Sequence, residues 1–180
     1  MKDLPVEMVF TLLERGPVTL VTTGDAQADN VMTVTWTMVL DYRGRFAITT
    51  GPWNHSFKAL TRSRECVVAI PGTDLLDAAV EIGVCTGAST DKFAKLSLAR
   101  RPADHVAAPL IEACIANIEC RVLEIIEPHN IIILEAVAAH VRDNWQAERM
   151  LHAVGDGTFV ADGEGFDRRA AMQAKLPPGI

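Results

Sequence analysis

The sequence predicts a mainly β protein with inserted helices, folded as a small β-barrel. Segments that alternate apolar and polar residues, as strands do, outnumber segments with helical spacing. Turns that contain glycine or proline separate most of these strands at short intervals, which is typical of antiparallel order. The sequence contains neither G-x-G-x-x-G nor G-x-x-x-x-G-K-S/T, so it gives no sign of a Rossmann or P-loop nucleotide site. A barrel with helical excursions therefore fits the pattern better than a doubly wound βαβ fold.

Turn and cap residues set the bounds of the predicted elements. Gly16-Pro17 ends a first helix, Gly24-Asp25 forms a turn, and Gly51-Pro52 stops a strand. Asn54 is a good N-cap for the helix that follows. Strands are predicted over residues 18–23, 30–38, 46–50, 65–70, 115–126, 131–141 and 151–160. Helices are predicted over residues 5–15, 73–82 and 91–96 and from residue 54 onward, with a polar, extended tail over residues 162–180.

The strand predicted over residues 30–38 has two chemically different faces. Successive side chains of a strand point to opposite sides, so one face carries apolar residues and the other carries threonines. The apolar row consists of Met32, Val34, Trp36 and Met38. Asn30 begins this row and lies roughly 20 Å from Trp36 in an extended chain. Such a face suits an elongated planar ligand with a polar tail, and it suits a sheet core equally well.

Composition and charge limit the class of protein. Hydrophobic residues make up 49% and charged residues 22% of the 180 residues, which is typical of one globular domain over residues 1–180. The formal net charge of −6 argues against a nucleic-acid partner that needs a broad basic surface. The first residues carry no basic segment followed by an apolar one, and no apolar run reaches membrane-spanning length. We therefore expect a cytoplasmic protein with no membrane partner.

The sequence shows no pattern typical of a metal centre or of a catalytic group. The cysteines have neither C-x-x-C nor zinc spacing, and we expect them to be reduced. The histidines are scattered, without the spacing that places two ligands on one helix face: they are His55, His105, His129, His140 and His152. We therefore expect no metal site, and if the chain is an enzyme, its chemistry belongs to a bound cofactor.

Three further stretches are richer in polar residues than a barrel core requires. Asn54-His-Ser56 opens a helix, and the unpaired N–H groups of a helix N-terminus can receive a phosphate. Residues 86–92 combine small residues, among them Ser89, with Lys92, whose point charge also suits phosphate. His129 lies in the turn between two long strands. Taken singly, such stretches are more often an ordinary cap, a loop and a surface histidine.

Taken in order, these stretches resemble the flavin reductase-like, FMN-binding split-barrel family and, within it, the flavoredoxin group. The resemblance runs from about Pro17 to Val141. Its segments are residues 17–23, 30–38, 54–56, 65–71, 86–93, 108–111 and 116–120. The closest match is Thr86-Gly-Ala-Ser-Thr-Asp-Lys-Phe93. The ordered set carries the resemblance, because none of these motifs is diagnostic alone.

The resemblance implies a split β-barrel that binds one non-covalent FMN near the interface of a homodimer. Asn30 and Trp36 would line the flavin, and Thr33 would contact the polar edge of its ring. The phosphate would be held by Asn54, His55, Ser56 and Lys92. His129 would reach the cofactor from its turn or across the dimer. The other residues assigned to the cofactor are Met32, Val34, Ser89 and Phe159, with Phe166 as an alternative to Phe159.

The resemblance also implies hydride transfer through the bound flavin. The leading hypothesis is an FMN-dependent oxidoreductase that accepts hydride from NADH or NADPH and passes electrons to free flavin, a metal chelate or a redox protein partner. A second hypothesis is a flavoredoxin-like electron carrier without direct NAD(P)H activity. A third is a ligand-binding barrel that has lost flavin. The first two need no side-chain general base, because the cofactor carries the chemistry.

Overall fold

The computed structural model describes residues 1–24 and 28–177 of the chain. The strands are β1 (Lys2–Asp3), β2 (Thr19–Gly24), β3 (Asp29–Val34), β4 (Thr37–Val39), β5 (Arg45–Thr49), β6 (Glu65–Ile70), β7 (Arg100–Arg101), β8 (Leu110–Ile111), β9 (Ala116–Ile126), β10 (Ile131–Val141), β11 (Leu151–Ala153) and β12 (Phe159–Ala161). The α-helices are α1 (Phe10–Leu13), α2 (His55–Ser63), α3 (Leu76–Val84), α4 (Lys92–Lys95) and α5 (Arg169–Met172). The predicted class, mainly β with inserted helices, is confirmed. The predicted turn at Gly24-Asp25 and the end of the predicted tail lie partly outside the described residues.

Eight antiparallel strands form one curled sheet. Their order along the sheet is β3-β2-β6-β9-β10-β5-β4, and β1 pairs with β10 beyond the end of β5. The two ends of this path, β3 and β4, are consecutive in the chain, and only Thr35 and Trp36 separate them. Because so short a connection spans on the order of 10 Å, the sheet has to curl until its two ends approach each other. The result is a barrel that is split between β3 and β4.

The prediction of one strand over residues 30–38 is wrong. The β2–β3 ladder ends at the Thr19–Val34 pair, because the preceding residue, Val18, donates its N–H to Leu151 instead. The next strand, β4, then pairs with β5 at the opposite end of the sheet. A change of pairing partner therefore breaks a segment whose alternation of side chains is continuous in the sequence.

This break divides the apolar row of the predicted strand. Met32 and Val34 are buried in the main hydrophobic core, as predicted for the inner face of a sheet. Trp36 and Met38 are instead exposed, by 69% and 55%. Asn30 and Trp36 consequently belong to different parts of the barrel and do not share one strand face.

Other predicted elements keep their place in the chain but change form. The helix predicted over residues 5–15 is a 3-10 turn, Val6–Met8, followed by the short α1. The strand predicted over residues 151–160 is the hairpin β11–β12, whose turn contains Gly155 and Gly157 at φ of 103° and 92°. Only glycine adopts such angles readily, so these residues reverse the chain at low cost. The tail predicted to be extended contains α5.

Two hydrophobic clusters position the helices. One fills the inside of the curled sheet and includes Val21, Met32 and Ile118. The other joins the outer face of β2 and β3 to α3 and α4, through Leu20, Val31, Ile82 and Phe93 among others. Because successive residues of β2 and β3 face opposite clusters, both faces of these strands are covered. The second cluster holds the α3–α4 link beside the outer edge of β3.

Within the described ranges, every helix is too short or too polar to span a bilayer.

Candidate functional site

A cavity of about 200 Å³ lies along β3, at the end of the sheet. The first turn of α2 closes one side, and the end of α3 with the link to α4 closes the other. Of the residues predicted to bind the cofactor, the cavity brings together Asn30, Met32, Thr33, Asn54, His55, Ser56 and Lys92. Residues that are distant in sequence thus meet in one place, because the curled sheet and the second hydrophobic cluster bring their elements together.

Asn30 is the central polar residue of the cavity. Its side-chain amide donates a 2.8 Å hydrogen bond to the hydroxyl of Ser56, in the first turn of α2. Gly87 lies against the same amide, and a Cβ atom added at Gly87 would be 2.3 Å from Asn30 Oδ1. Both Asn30 and Ser56 are buried. The glycine is therefore required for close packing of the α3–α4 link against Asn30.

Asn54 occupies the N-cap position of α2 but does not cap the helix with its side chain. Its side-chain amide donates to Thr50 Oγ1 at 3.0 Å, and Thr50 in turn donates to the Met32 sulfur at 3.6 Å. No side-chain capping hydrogen bond is formed at this N-terminus. Because the first N–H groups of a helix carry partial positive charge, this end of α2 is a favourable position for an anion.

Lys92 is buried beneath the cavity, with 5% of its surface exposed. Its ammonium donates to the backbone carbonyls of Val31, at 2.9 Å, and Ile82, at 2.8 Å. Burial lowers the pKa of Lys92, and the nearby Cys85 thiol offsets part of this effect. An ammonium has three N–H donors, so the two carbonyls leave one donor for the cavity that Lys92 lines.

Thr33 uses its hydroxyl for the fold. The hydroxyl donates to the carbonyl of Ala79 in α3, at 2.6 Å, and so fixes α3 on β3. Gly83, one turn further along α3, lies over the same side chain, with Thr33 3.6 Å from an added Cβ. Contact between Thr33 and a flavin ring stays a prediction, and the hydroxyl already has an acceptor.

A second cavity, of about 210 Å³, adjoins the first and shares Asn30, His55, Ser56 and Gly87 with it. Thr23 of β2 lines this cavity, and its buried hydroxyl has no hydrogen-bond partner among the described residues. Lys58 on α2 adds positive charge on the same side. An unpaired buried hydroxyl is costly, so this position favours a polar ligand group.

Five predicted residues lie away from the cavity lining. Val34 is in the main core, and Phe159 packs against the second hydrophobic cluster. Ser89 and His129 are exposed, on the α3–α4 link and in the 3-10 turn before β10. Trp36 lies in the connection between β3 and β4. Their contact with a cofactor stays a prediction, and the buried position of Val34 leaves it a packing role in this protomer.

Trp53 is a lining residue that the sequence interpretation did not assign to the site. Its side chain is 64% exposed at the cavity, and its ring lies over Gly51, where an added Cβ would be 2.4 Å from the ring. The sequence places Trp53 directly before the predicted N-cap Asn54, so its position beside the start of α2 could have been predicted. Trp53 gives the cavity an aromatic surface that Trp36, in the same protomer, does not provide.

Comparisons with known proteins identify the family and the fold of this chain. The model of the flavin reductase like domain matches residues 14–158. An uncharacterized protein of Archaeoglobus fulgidus is 31% identical over 113 residues, which cover 62% of this chain and 64% of that protein. The match therefore spans less than two thirds of this relative's length.

Solved structures share the fold at low sequence identity. The FMN-binding domain of a flavin reductases-like enzyme from Shewanella baltica is 21% identical with a TM-score of 0.82, over 92% of this chain and 96% of that one. The flavoredoxin of Desulfovibrio vulgaris is 23% identical with a TM-score of 0.77, over 85% and 90%. The split-barrel fold is thereby confirmed. Since the domain model spans most of the chain, this protein belongs to the flavin reductase-like family.

Proposed function

We propose that the protein binds FMN with its phosphate in the cavity beside β3, and that it transfers hydride from NADH or NADPH to free flavin or another acceptor. The observation that carries the proposal is the buried ammonium of Lys92, close to the uncapped first turn of α2. Within the described residues, no carboxylate forms an ion pair with Lys92, and its ammonium donates to two backbone carbonyls. A buried charge without a counter-ion is costly, so the site is suited to an anionic group.

The polar groups around the cavity fit a phosphate joined to a hydroxylated chain. Asn54, His55 and Ser56 would hold the phosphate with Lys92, as the family resemblance implies. Asn30 presents its amide oxygen, and the unpaired hydroxyl of Thr23 is available on the adjoining side. Each of these groups can donate or accept a hydrogen bond.

The size of the cavity supports binding of only part of the cofactor inside one protomer. Pockets that enclose a drug-sized ligand measure roughly 300–1,000 Å³, whereas this cavity holds about 200 Å³. The phosphate end therefore fits inside, and the ring would lie at the mouth, beside Trp53. Aromatic side chains cover such a ring well, by stacking on its face.

When bound, FMN supplies hydride acceptance and electron transfer. The residues of this chain would hold its phosphate inside the cavity and position its ring at the mouth, beside Trp53. None of them has to donate or remove a proton for this chemistry. Because nicotinamide dinucleotides are cytoplasmic electron donors, we place the activity in the cytoplasm.

A second copy of the chain is the partner that we propose for the exposed face of β4. Trp36, Met38 and Leu40 form an apolar stripe there, exposed by 69%, 55% and 42%. Patches of this kind are typical of protein interfaces. Three apolar residues of β10 are also only half-buried: Ile131, Ile133 and Val137. Covering the stripe with a second copy would remove its three apolar side chains from water, which favours association.

Two measurements test the proposed function. Purified protein is titrated with FMN and followed by flavin fluorescence, and it is then mixed with NADH or NADPH in an anaerobic stopped-flow instrument. We expect saturable binding and rapid bleaching of the flavin absorbance. Binding without bleaching would favour the flavoredoxin-like carrier with a redox protein partner. Absence of any FMN binding would contradict the proposal and favour a barrel that has lost flavin.

A further inference from the structure

Four ionisable side chains from separate parts of the sequence meet at the end of β10 that is remote from its turn with β9. They are Asp3 in β1, Asp104 in the loop between β7 and β8, Glu119 in β9 and His140 in β10. His140 Nε2 lies 2.8 Å from Glu119 Oε1 and 3.8 Å from Asp104 Oδ2. His140 Nδ1 lies 3.1 Å from Asp3 Oδ1. Each nitrogen of one imidazole therefore faces a carboxylate.

The cluster carries more negative than positive charge. Glu119 is fully buried and the His140 side chain is 7% exposed, whereas the side chains of Asp104 and Asp3 are mostly exposed. In the described part of the chain, the ion pairs of these three carboxylates are all with His140. A protonated imidazole would offset one negative charge among three. A divalent cation bound to neutral imidazole would offset two.

The distances are close to those of a metal centre. The ligand atoms of Asp104, Glu119 and His140 all lie within 4.8 Å of one another. Ligands at 2.0–2.2 Å from a tetrahedral Zn²⁺ are roughly 3.4 Å apart. The 2.8 Å and 3.8 Å separations at His140 Nε2 lie on either side of this value. Small side-chain rotations would therefore complete the geometry.

Hydrogen bonds hold two of these three residues, His140 and Glu119, in position. In the tautomer with its proton on Nδ1, His140 donates a hydrogen bond to Asp3 Oδ1, and the Nε2 lone pair is then available to a cation held between Glu119 and Asp104. A carboxylate that holds the outer nitrogen of a metal-binding histidine is a recurrent feature of zinc sites. Glu119 is oriented by the backbone N–H groups of Asp104, at 3.1 Å, and His105, at 2.6 Å.

We propose that Asp104, Glu119 and His140 bind one divalent transition-metal cation of the Zn²⁺ type, with Asp3 orienting the imidazole. One imidazole with two carboxylates is a ligand set that such cations accept. A cavity of about 260 Å³, lined by Asp3, Asp104 and His140, gives access from solvent. The residues of this site are not shared with the cavity beside β3. The cation would fasten β1 and the loop containing Asp104 to β9 and β10, so its role is to stabilise the barrel.

The test uses the full chain without an affinity tag, freed of metal with EDTA and then of EDTA by dialysis. ZnCl₂ is titrated by calorimetry and the melting temperature is recorded with and without Zn²⁺. We expect one equivalent to bind and the melting temperature to rise. Asp104→Asn and His140→Gln should each weaken Zn²⁺ binding at least tenfold and reduce this rise. Asp104→Asn is the more decisive variant, because its side chain is 63% exposed and its backbone hydrogen bond to Glu119 is retained.

His152→Gln is the matched control. His152 also bonds through both nitrogens, to Asp162 at 2.9 Å and to the carbonyl of Gly16 at 3.2 Å, but only one carboxylate is involved. We expect this variant to bind Zn²⁺ as the wild type does. Absence of saturable Zn²⁺ binding would overturn the proposal and leave His140 hydrogen-bonded to its carboxylate neighbours. Equal Zn²⁺ affinity in Asp104→Asn and the wild type would also overturn it.

Discussion

The 2.8 Å hydrogen bond from Asn30 Nδ2 to Ser56 Oγ joins the outer strand of the sheet to the first turn of α2. Both partners are buried, so each would be left with an unpaired polar group if the other were removed. The bond also fixes the position of α2 relative to the cavity. This hydrogen bond therefore sets the distance between β3 and the proposed phosphate position at the start of α2.

A double-mutant cycle of Asn30→Ala and Ser56→Ala measures this contact. We expect a coupling free energy of about 1 kcal/mol in urea unfolding, because the two groups share one hydrogen bond. The control cycle pairs Asn30→Ala with Thr61→Ala, since Thr61 lies on the same helix and bonds to the carbonyl of Lys58. Strict additivity of Asn30→Ala and Ser56→Ala would show that the bond does not contribute to stability.

Gly87→Ala should disturb the site by steric contact. The added methyl group would be 2.3 Å from Asn30 Oδ1, so Asn30 or the link has to move. We expect FMN affinity to fall at least tenfold, measured by fluorescence titration. Gly83→Ala is the matched control in the same lining, because its methyl group would have an ordinary 3.6 Å contact with Thr33. If both variants bind FMN equally, the Asn30–Gly87 contact is not part of the site.

Lys92→Met removes the buried ammonium and keeps most of the aliphatic chain. We expect FMN affinity to fall more than tenfold, about 1.4 kcal/mol, because the phosphate loses its nearest buried positive charge. The control is Lys95→Met on the same helix, where the ammonium is exposed and paired with Glu81. The affinity for riboflavin, which has no phosphate, is measured as well, because it separates the effect of the Lys92 charge from the effect of its packing. An equal loss for riboflavin and FMN in Lys92→Met would assign Lys92 to packing alone.

Met38→Glu should separate the proposed dimer. A carboxylate in the centre of the exposed stripe on β4 has to be desolvated if a second copy covers it, which costs several kcal/mol. We expect sedimentation to show a dimer for the wild type and a monomer for this variant. Glu164→Gln, a change at an exposed residue in the tail, is the control. A wild type that remains monomeric at high concentration would contradict the proposed interface.

Asp162→Asn should destabilise the protein in a pH-dependent manner. Burial alone would raise the pKa of Asp162, but hydrogen bonds from His152, the Met150 N–H and Arg15 outweigh it and lower the pKa below 3.8. A carboxyl group with a lowered pKa stabilises the fold above its unfolded value and loses this contribution as the pH falls through its folded value. We therefore expect a loss of about 1 kcal/mol at pH 7.

The same variant should become equal to the wild type in strong acid. As the pH falls below 3.8 and through the lowered pKa of the folded state, the wild-type carboxyl group takes up a proton, so the difference in the free energy of unfolding should shrink. Urea unfolding at a series of pH values measures this difference. A gap that does not change with pH would show that the carboxylate charge of Asp162 does not matter.

Local sequence patterns predicted much of the fold, because they depend on neighbouring residues. Alternation and turn residues located β6, β9 and β10 to within a residue or so, and Asn54 marked the start of α2. The polar stretches at Asn30, Asn54–Ser56 and Lys92 were found in the same way. They proved to line one cavity, although their contact with FMN is untested.

Only the tertiary structure decided which distant residues meet. The alternation over residues 30–38 does not reveal that the pairing partner changes from β2 to β5, since pairing depends on strands elsewhere in the chain. For the same reason, histidine spacing could not predict that His140 meets Asp3, Asp104 and Glu119. The sequence by itself determined the class of fold, most of the strands and the polar stretches, because these follow from local periodicity and turn chemistry. Packing of α3 and α4 on β3 buries Lys92 beneath a cavity, and the break between β3 and β4 leaves Trp36 exposed, because burial depends on what packs against a residue in space.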